Sequence, residues 1–199
     1  EDDYQFNLKA LRDQLVIEAA KYPLLPGLLY TSAFDFIAQH GVGYKPVPWR
    51  LGASAVGVQK QCYGNAIANT GKYKLRYIEG FALAPTGDVI LHGWNAWPNG
   101  ELLDSTWANT GLCYIGVEFS LERADDATWN GDAHIINDEN RNYPIFQQRW
   151  EGEDFSRVWP DNDRLQAYRR WRKTGQYITP PSVVGTTSGR RAGSYRPTN

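Results

Sequence analysis

Leu91-His92-Gly93-Trp94-Asn95-Ala96-Trp97-Pro98-Asn99-Gly100-Glu101-Leu102-Leu103-Asp104-Ser105-Thr106-Trp107 is two strand-like runs around one turn. Aromatic and aliphatic residues flank Pro98-Asn99-Gly100 on both sides, as half-buried pleated backbone favours. A three-residue hairpin loop suits that separator, with Pro opening a type I turn and Gly taking the left-handed position. If Trp97 pairs with Glu101, Asp104 falls opposite Trp94, and alternation puts His92 and Asp104 on one face as diagonal neighbours. A two-residue Asn99-Gly100 turn would shift the register by one and separate them.

The same counting extends upstream. Pro85-Thr86-Gly87 separates the strand candidates Lys74 to Ala84 and Val89 to Trp97. A three-residue loop there pairs Ala84 with Asp88 and sets Gly80 opposite His92, leaving space beside the imidazole and turning Glu79 to the other face. Glu101 to Thr106 is the third strand candidate, and Leu112 to Phe119 a further one in which Cys113 reads as a small core side chain. These segments form an antiparallel β-meander.

Helices precede it. Residues Tyr4 to Tyr22 space Phe6, Leu8, Leu11, Leu15, Val16 and Ala19 at helical intervals, with Asp3 as N-cap and Pro23 as stop. Leu28 to His40 reads as a second helix with Ala33, Phe34, Ile37 and Ala38 inward, and His40 suits exposed carbonyls at its C-terminal end. Tyr44 to Val58 reads as loop. Gln61 to Thr70 is then a short helix candidate with Cys62 in its first turn, where unpaired N–H groups and the positive end of the dipole favour thiolate over thiol. The same N–H groups, helped by the Gln59 or Gln61 amide, suit stabilisation of an oxyanion.

Beyond the strands, Glu122 to Asn142 is polar, and His134 among Asp132, Asp138 and Glu139 lacks metal-ligand spacing, which leaves a solvated surface loop and no metal. Ile145 to Trp159 is expected to pack across the domain. The reading places one domain over 1–160, a basic helix over 161–175 and a flexible basic tail over 176–199.

The 199 residues with 42% hydrophobic content, eight Trp and twelve Tyr support a substantial core. No apolar window is long enough to span a membrane, and the acidic start lacks the basic flank of a signal peptide. Two cysteines make no disulfide framework, so reduced thiols and a cytoplasmic setting are expected. The chain begins without Met, which allows for a removed initiator or leader and leaves secretion open. Residues up to Asp163 carry 13 basic and 22 acidic side chains, and Arg164 to Asn199 carries eight basic and no acidic ones. An acidic partner or nucleic acid is therefore to be sought at the tail.

Cys62, His92 and Asp104 are the side chains a thiol nucleophile needs: sulfur, base, and a carboxylate that orients the base. Alone, each has a plain structural role: Cys62 as a buried inert thiol, His92 as a satisfied core histidine, Asp104 as a strand-end carboxylate. Their order and their shared face favour chemistry. Trp94, Trp97 and Trp107 crowd the motif and are expected to line a cleft for a peptide or acyl chain.

Cys62 at a helix start, His92-Gly93-Trp94 followed by a turn, and Leu103-Asp104-Ser105-Thr106-Trp107 together resemble the transglutaminase-like branch of the papain-like superfamily. The last segment resembles that family's strand carrying Asp-Pro-Thr, with Ser105 in place of Pro. Tyr77 to Gly80 and Tyr114 to Val117 are also similar to segments of small bacterial and phage proteins. The resemblance covers Gln59 to Phe119. It implies an α+β fold with a papain-like core, in which N-terminal helices and the nucleophile helix pack on the meander. It further implies Cys62 as nucleophile, His92 as general base and acid, and Asp104 as the orienting carboxylate, acting without a cofactor on a peptide or protein amide. Water as acceptor would make a peptidase, amidase or deamidase, and an amine a transglutaminase or acyltransferase. The alternative is a non-catalytic binding or structural protein, such as a phage or virion component, that keeps the fold and docks through its basic C-terminal segment.

Overall fold

In the computed structural model the described residues are 3–52, 55–73, 75–120, 123–124, 134–139 and 141–152. The expected basic helix over 161–175, the tail over 176–199 and the partners sought there lie outside them.

Turn chemistry sets the sheet. Trp97 N–H donates to Glu101 O at 2.8 Å and Gly100 N–H to Trp97 O at 2.8 Å, which closes Pro98-Asn99-Gly100 as a three-residue loop. Gly100 takes the left-handed conformation that the loop requires (φ 82°). Pro85-Thr86-Gly87 repeats the device, with Ala84 N–H donating to Asp88 O at 2.9 Å and Gly87 at φ 89°. The strands are β1 Val42–Tyr44, β2 Arg76–Leu83, β3 Val89–Ala96, β4 Leu102–Leu103 and β5 Cys113–Phe119. They form one curled antiparallel sheet in the order β1-β5-β2-β3-β4. Consecutive hairpins join β2, β3 and β4, and β5 returns to the free edge of β2.

Three α-helices are found among the described residues: α1 Asp3–Ala19, α2 Ala33–His40 and α3 Cys62–Tyr73. On one sheet face Tyr77, Phe81, Ile115 and Val117 meet Leu11 and Leu15 of α1 and Phe36 and Ile37 of α2 in the main core. On the other face Ile78, Ala82, Trp94, Ala96 and Tyr114 close over Tyr44 and Leu102. Both faces are covered, which is why β2 reads as a near-continuous apolar run.

Several elements differ from the sequence expectation. In α1, Phe6 and Val16 are 65% and 60% exposed; only Leu11 and Leu15 of that helix are fully buried. Helix α2 starts at Ala33 rather than Leu28, because Ser32 accepts a hydrogen bond from Asp35 N–H as N-cap while Asp35 Oδ2 accepts from Thr31 N–H. His40 hydrogen-bonds the Tyr30 hydroxyl at 2.9 Å instead of the terminal carbonyls. Val42 to Tyr44, expected as a helix end and loop, forms an edge strand held by β5. Glycine 80 does stand opposite His92, but the room serves the backbone of β5: a Cβ there would lie 2.1 Å from Ile115 O.

Candidate active site

The strand β4 pairs only with Asn95 and Ala96, so the chain leaves the sheet at Asp104. A turn starts there because Asp104 Oδ1 accepts from Thr106 N–H at 2.9 Å and Trp107 N–H at 3.2 Å. The expected strand through Thr106 therefore stops at Leu103. Asp104 Oδ2 faces back across the hairpin and meets His92 Nε2 at 2.9 Å. Tyr114 OH donates to the same oxygen at 2.9 Å. Two side-chain and two backbone donors thus satisfy a carboxylate that is fully buried, which is what burial of a charge demands.

His92 is 2% exposed. Trp107 stacks on the imidazole with centroids 4.2 Å apart and planes at 24°, and Trp94 lies on it at 6.2 Å and 19°. The Cys62 side chain is close enough to the imidazole to help raise its pKa. With Nε2 committed to Asp104, Nδ1 is the ring atom left for sulfur. Burial alone would lower the His92 pKa, but the hydrogen bond to Asp104 and the nearness of Asp104 and Cys62 outweigh it and raise the value to about 9.

Cys62 arrives here through α3. Gln61 O accepts from Asn65 N–H at 2.8 Å, so Cys62 is the first helical residue, and the N–H groups of its turn have no intrahelical acceptor. The small polar residues Asn65 and Asn69 tie α3 to the segment that carries Asp104. Asn65 Nδ2 donates to Thr106 Oγ1 at 2.9 Å and to Val58 O at 2.8 Å, and its Oδ1 accepts from Val58 N–H. Asn69 Nδ2 donates to Ser105 Oγ at 2.8 Å. Gly57 N–H donates to Ser105 O, and a Cβ on Gly57 would lie 2.4 Å from the Asn65 side chain. The helix that presents sulfur and the turn that presents the carboxylate are thereby joined on both sides.

A cleft of about 460 Å³ opens beside this junction, lined by Val56, Gln59, Lys60, Thr106, Trp107, Ala108 and Thr110. Gln59 and Gln61 are both exposed. Gln59 lines the cleft, and Gln61 folds against the first turn, with its amide oxygen 3.9 Å from where a Gly64 Cβ would be. Of the three expected cleft tryptophans, Trp107 alone lines this cleft. Trp94 and Trp97 are 1% and 2% exposed. Trp94 packs with Tyr44 and Tyr114, and Trp97 with Leu75 and Leu103 on the face away from His92.

On the sheet face opposite to His92 lies a second buried polar group. Glu79, completely buried, accepts from Tyr77 OH at 2.6 Å, Ile135 N–H at 2.7 Å and Ile136 N–H at 2.9 Å. Burial raises its carboxyl to about 7, against the opposing pull of those donors. His134, expected on a solvated loop, instead packs edge-on against the Tyr63 ring at 4.9 Å. Tyr63 in turn lies on Gly93, where a Cβ would be 2.8 Å from its ring. Cys113 is buried in the main core, which pushes its thiol up to about 12. Among the described residues no group of three or more His, Cys, Asp and Glu side chains is placed to hold a metal ion. Comparison of the chain with protein-family models, with curated proteins and with solved structures found no match.

Proposed function

We propose that this chain is a cysteine-nucleophile acyl-transfer enzyme acting on an amide or peptide bond, with the papain-like, transglutaminase-like arrangement its motifs resemble. The observation that carries the proposal is the buried imidazole of His92, bonded to Asp104 through Nε2, with Cys62 near enough to raise its pKa. A histidine held this way keeps one tautomer and one orientation, which general acid–base work needs.

In this mechanism the Cys62 proton rests on His92, and Asp104 stabilises the imidazolium. Sulfur attacks the substrate carbonyl, a C–S bond forms, and the carbonyl oxygen becomes an oxyanion next to the N–H groups at the start of α3. His92 gives its proton to the leaving nitrogen as the C–N bond breaks, leaving a thioester on Cys62. Water or an amine then loses a proton to His92 and displaces the thiolate, which releases an acid or a new amide. Trp107 covers one face of the imidazole and keeps water from the Asp104 bond.

Mass spectrometry of the protein mixed with peptide amides and activated esters tests this. An acyl adduct on Cys62 that builds up in the wild type and is absent in His92→Ala is the expected result. Acylation of Cys62 and Cys113 to the same extent, or equally in His92→Ala, would remove the proposal.

A further inference from the structure

The cleft lined by the residues just before Cys62 and by the turn after Asp104 has an uneven chemical character. Lys60 is its sole charged residue, and Gln59, Thr106 and Thr110 add amide and hydroxyl groups. Thr106 Oγ1 already accepts from Asn65, so its own proton is free to donate. The Asp104 carboxylate, in the turn that runs into the cleft wall, is buried with its oxygens already occupied. Lys60 is exposed and makes no ion pair among the described residues. A cationic cleft is unexpected here, because acidic side chains outnumber basic ones through Asp163.

The backbone on both rims is also unusual. Lys60 (φ 63°) stands on one side, and Ala108 (φ 49°) and Asn109 (φ 60°) on the other, all in the left-handed region that non-glycine residues seldom adopt. Such conformations persist only where the surrounding structure fixes them. Here Asn65 grips Val58 on one rim and Thr106 on the other, while Asn109 Oδ1 accepts from Asp104 N–H and its Nδ2 donates to Val47 O. At Lys60 the result is a basic residue whose backbone is fixed two positions before Cys62 and which lines the cleft together with Thr106 and Trp107.

We infer that Lys60 is a specificity-determining residue and that the cleft takes an acyl donor bearing a carboxylate close to the reacting carbon. The inference rests on Cys62 acting as the nucleophile. Lys60 supplies the charge, Gln59 and Thr106 supply neutral donors, and the Trp107 face supplies the apolar wall against which the chain between carboxylate and carbonyl lies.

Two alkylating reagents of nearly equal size separate the charge effect from intrinsic reactivity. Iodoacetate carries a carboxylate next to the carbon attacked by sulfur, whereas iodoacetamide is neutral. The quantity measured is the ratio of their rate constants at Cys62 at low ionic strength. Lys60→Gln is expected to lower the iodoacetate to iodoacetamide ratio roughly threefold and Lys60→Glu roughly tenfold, the size of one and two charge changes across a few water-exposed ångströms. Added salt shrinks both effects, Lys60→Arg restores the ratio, and Lys21→Gln at the distant end of α1 leaves it unchanged. An unchanged ratio in Lys60→Glu, with iodoacetamide still reacting at the wild-type rate, overturns the assignment alone. A wild-type Cys62 inert to both reagents overturns the acyl-transfer proposal and this assignment with it.

Discussion

Asp104 is the residue on which the site turns, because one carboxylate both orients the imidazole and starts the turn that ends β4. Its fourth donor, Tyr114 OH, draws charge away from the oxygen that faces His92. Tyr114→Phe removes that donor and leaves Gly111 N–H without the acceptor it has in the wild type. The expected outcome is a loss of about 1–3 kcal/mol in urea unfolding. It is accompanied by a rise in the His92 pKa, seen by NMR titration, because a less satisfied carboxylate holds the imidazolium more tightly. A His92 pKa that stays the same or falls would show that Tyr114 does not tune the pair. Sequence made the pair of His92 and Asp104 legible, since both lie in one hairpin and pairing is fixed by loop length. Tyr114 was not legible as a partner: its strand joins β2, and only the curl of the sheet brings its hydroxyl over the hairpin.

The hairpin is the element that carries the site, and its register is the testable quantity. Deleting Glu101 keeps the Pro98-Asn99-Gly100 loop but pairs Trp97 with Leu102 and Asn95 with Asp104, which slips β4 by one position and moves Asp104 to the face opposite His92. The expected result is loss of the raised His92 pKa, with the imidazole titrating near or below its ordinary 6.5. A retained value near 9 in the deletion variant would show that the pair does not depend on this register. Trp97, expected at the cleft, is instead kept apart from His92 by the same alternation, which continues past the end of β3 and buries it beside Leu103. Asn65 and Asn69, three and seven residues after Cys62 along α3, bond Thr106 and Ser105, ties that the sequence reading did not pick out. Such a contact is hard to read from sequence because it spans about forty residues of chain. Edge strand β1 escaped notice for a related reason: three residues with a central glycine carry almost no alternation of their own, and β5 imposes the strand.

Across the whole molecule, two buried groups with raised pKa values make folding stability depend on pH in a definite direction. Glu79 moves from 4.5 to about 7 on folding, so its contribution is complete below pH 4.5 and is lost as pH rises through 7. His92 moves from 6.5 to about 9, so its contribution is complete below pH 6.5 and is lost as pH rises through 9. Each step amounts to at most about 3 kcal/mol. Thermal midpoints should therefore decline from pH 4.5 to 9, with Glu79→Gln flattening the lower part and His92→Gln the upper part. Midpoints whose slopes are the same in wild type and both variants would contradict this. The α+β class with its antiparallel sheet was legible because turns and strand composition agree with one another. The burial of Glu79 was not, because its donors come from Ile135 and Ile136, in a segment with no periodic pattern. The most direct test of the central claim is the rate at which iodoacetamide alkylates Cys62 at pH 6, measured in the wild type, His92→Ala and Asp104→Asn, with Cys113 as internal reference. The account predicts a wild-type Cys62 that reacts far faster than Cys113 and slows at least roughly tenfold in both variants, as loss of a charged hydrogen-bonded partner implies. A Cys62 rate that is the same in all three proteins would contradict it.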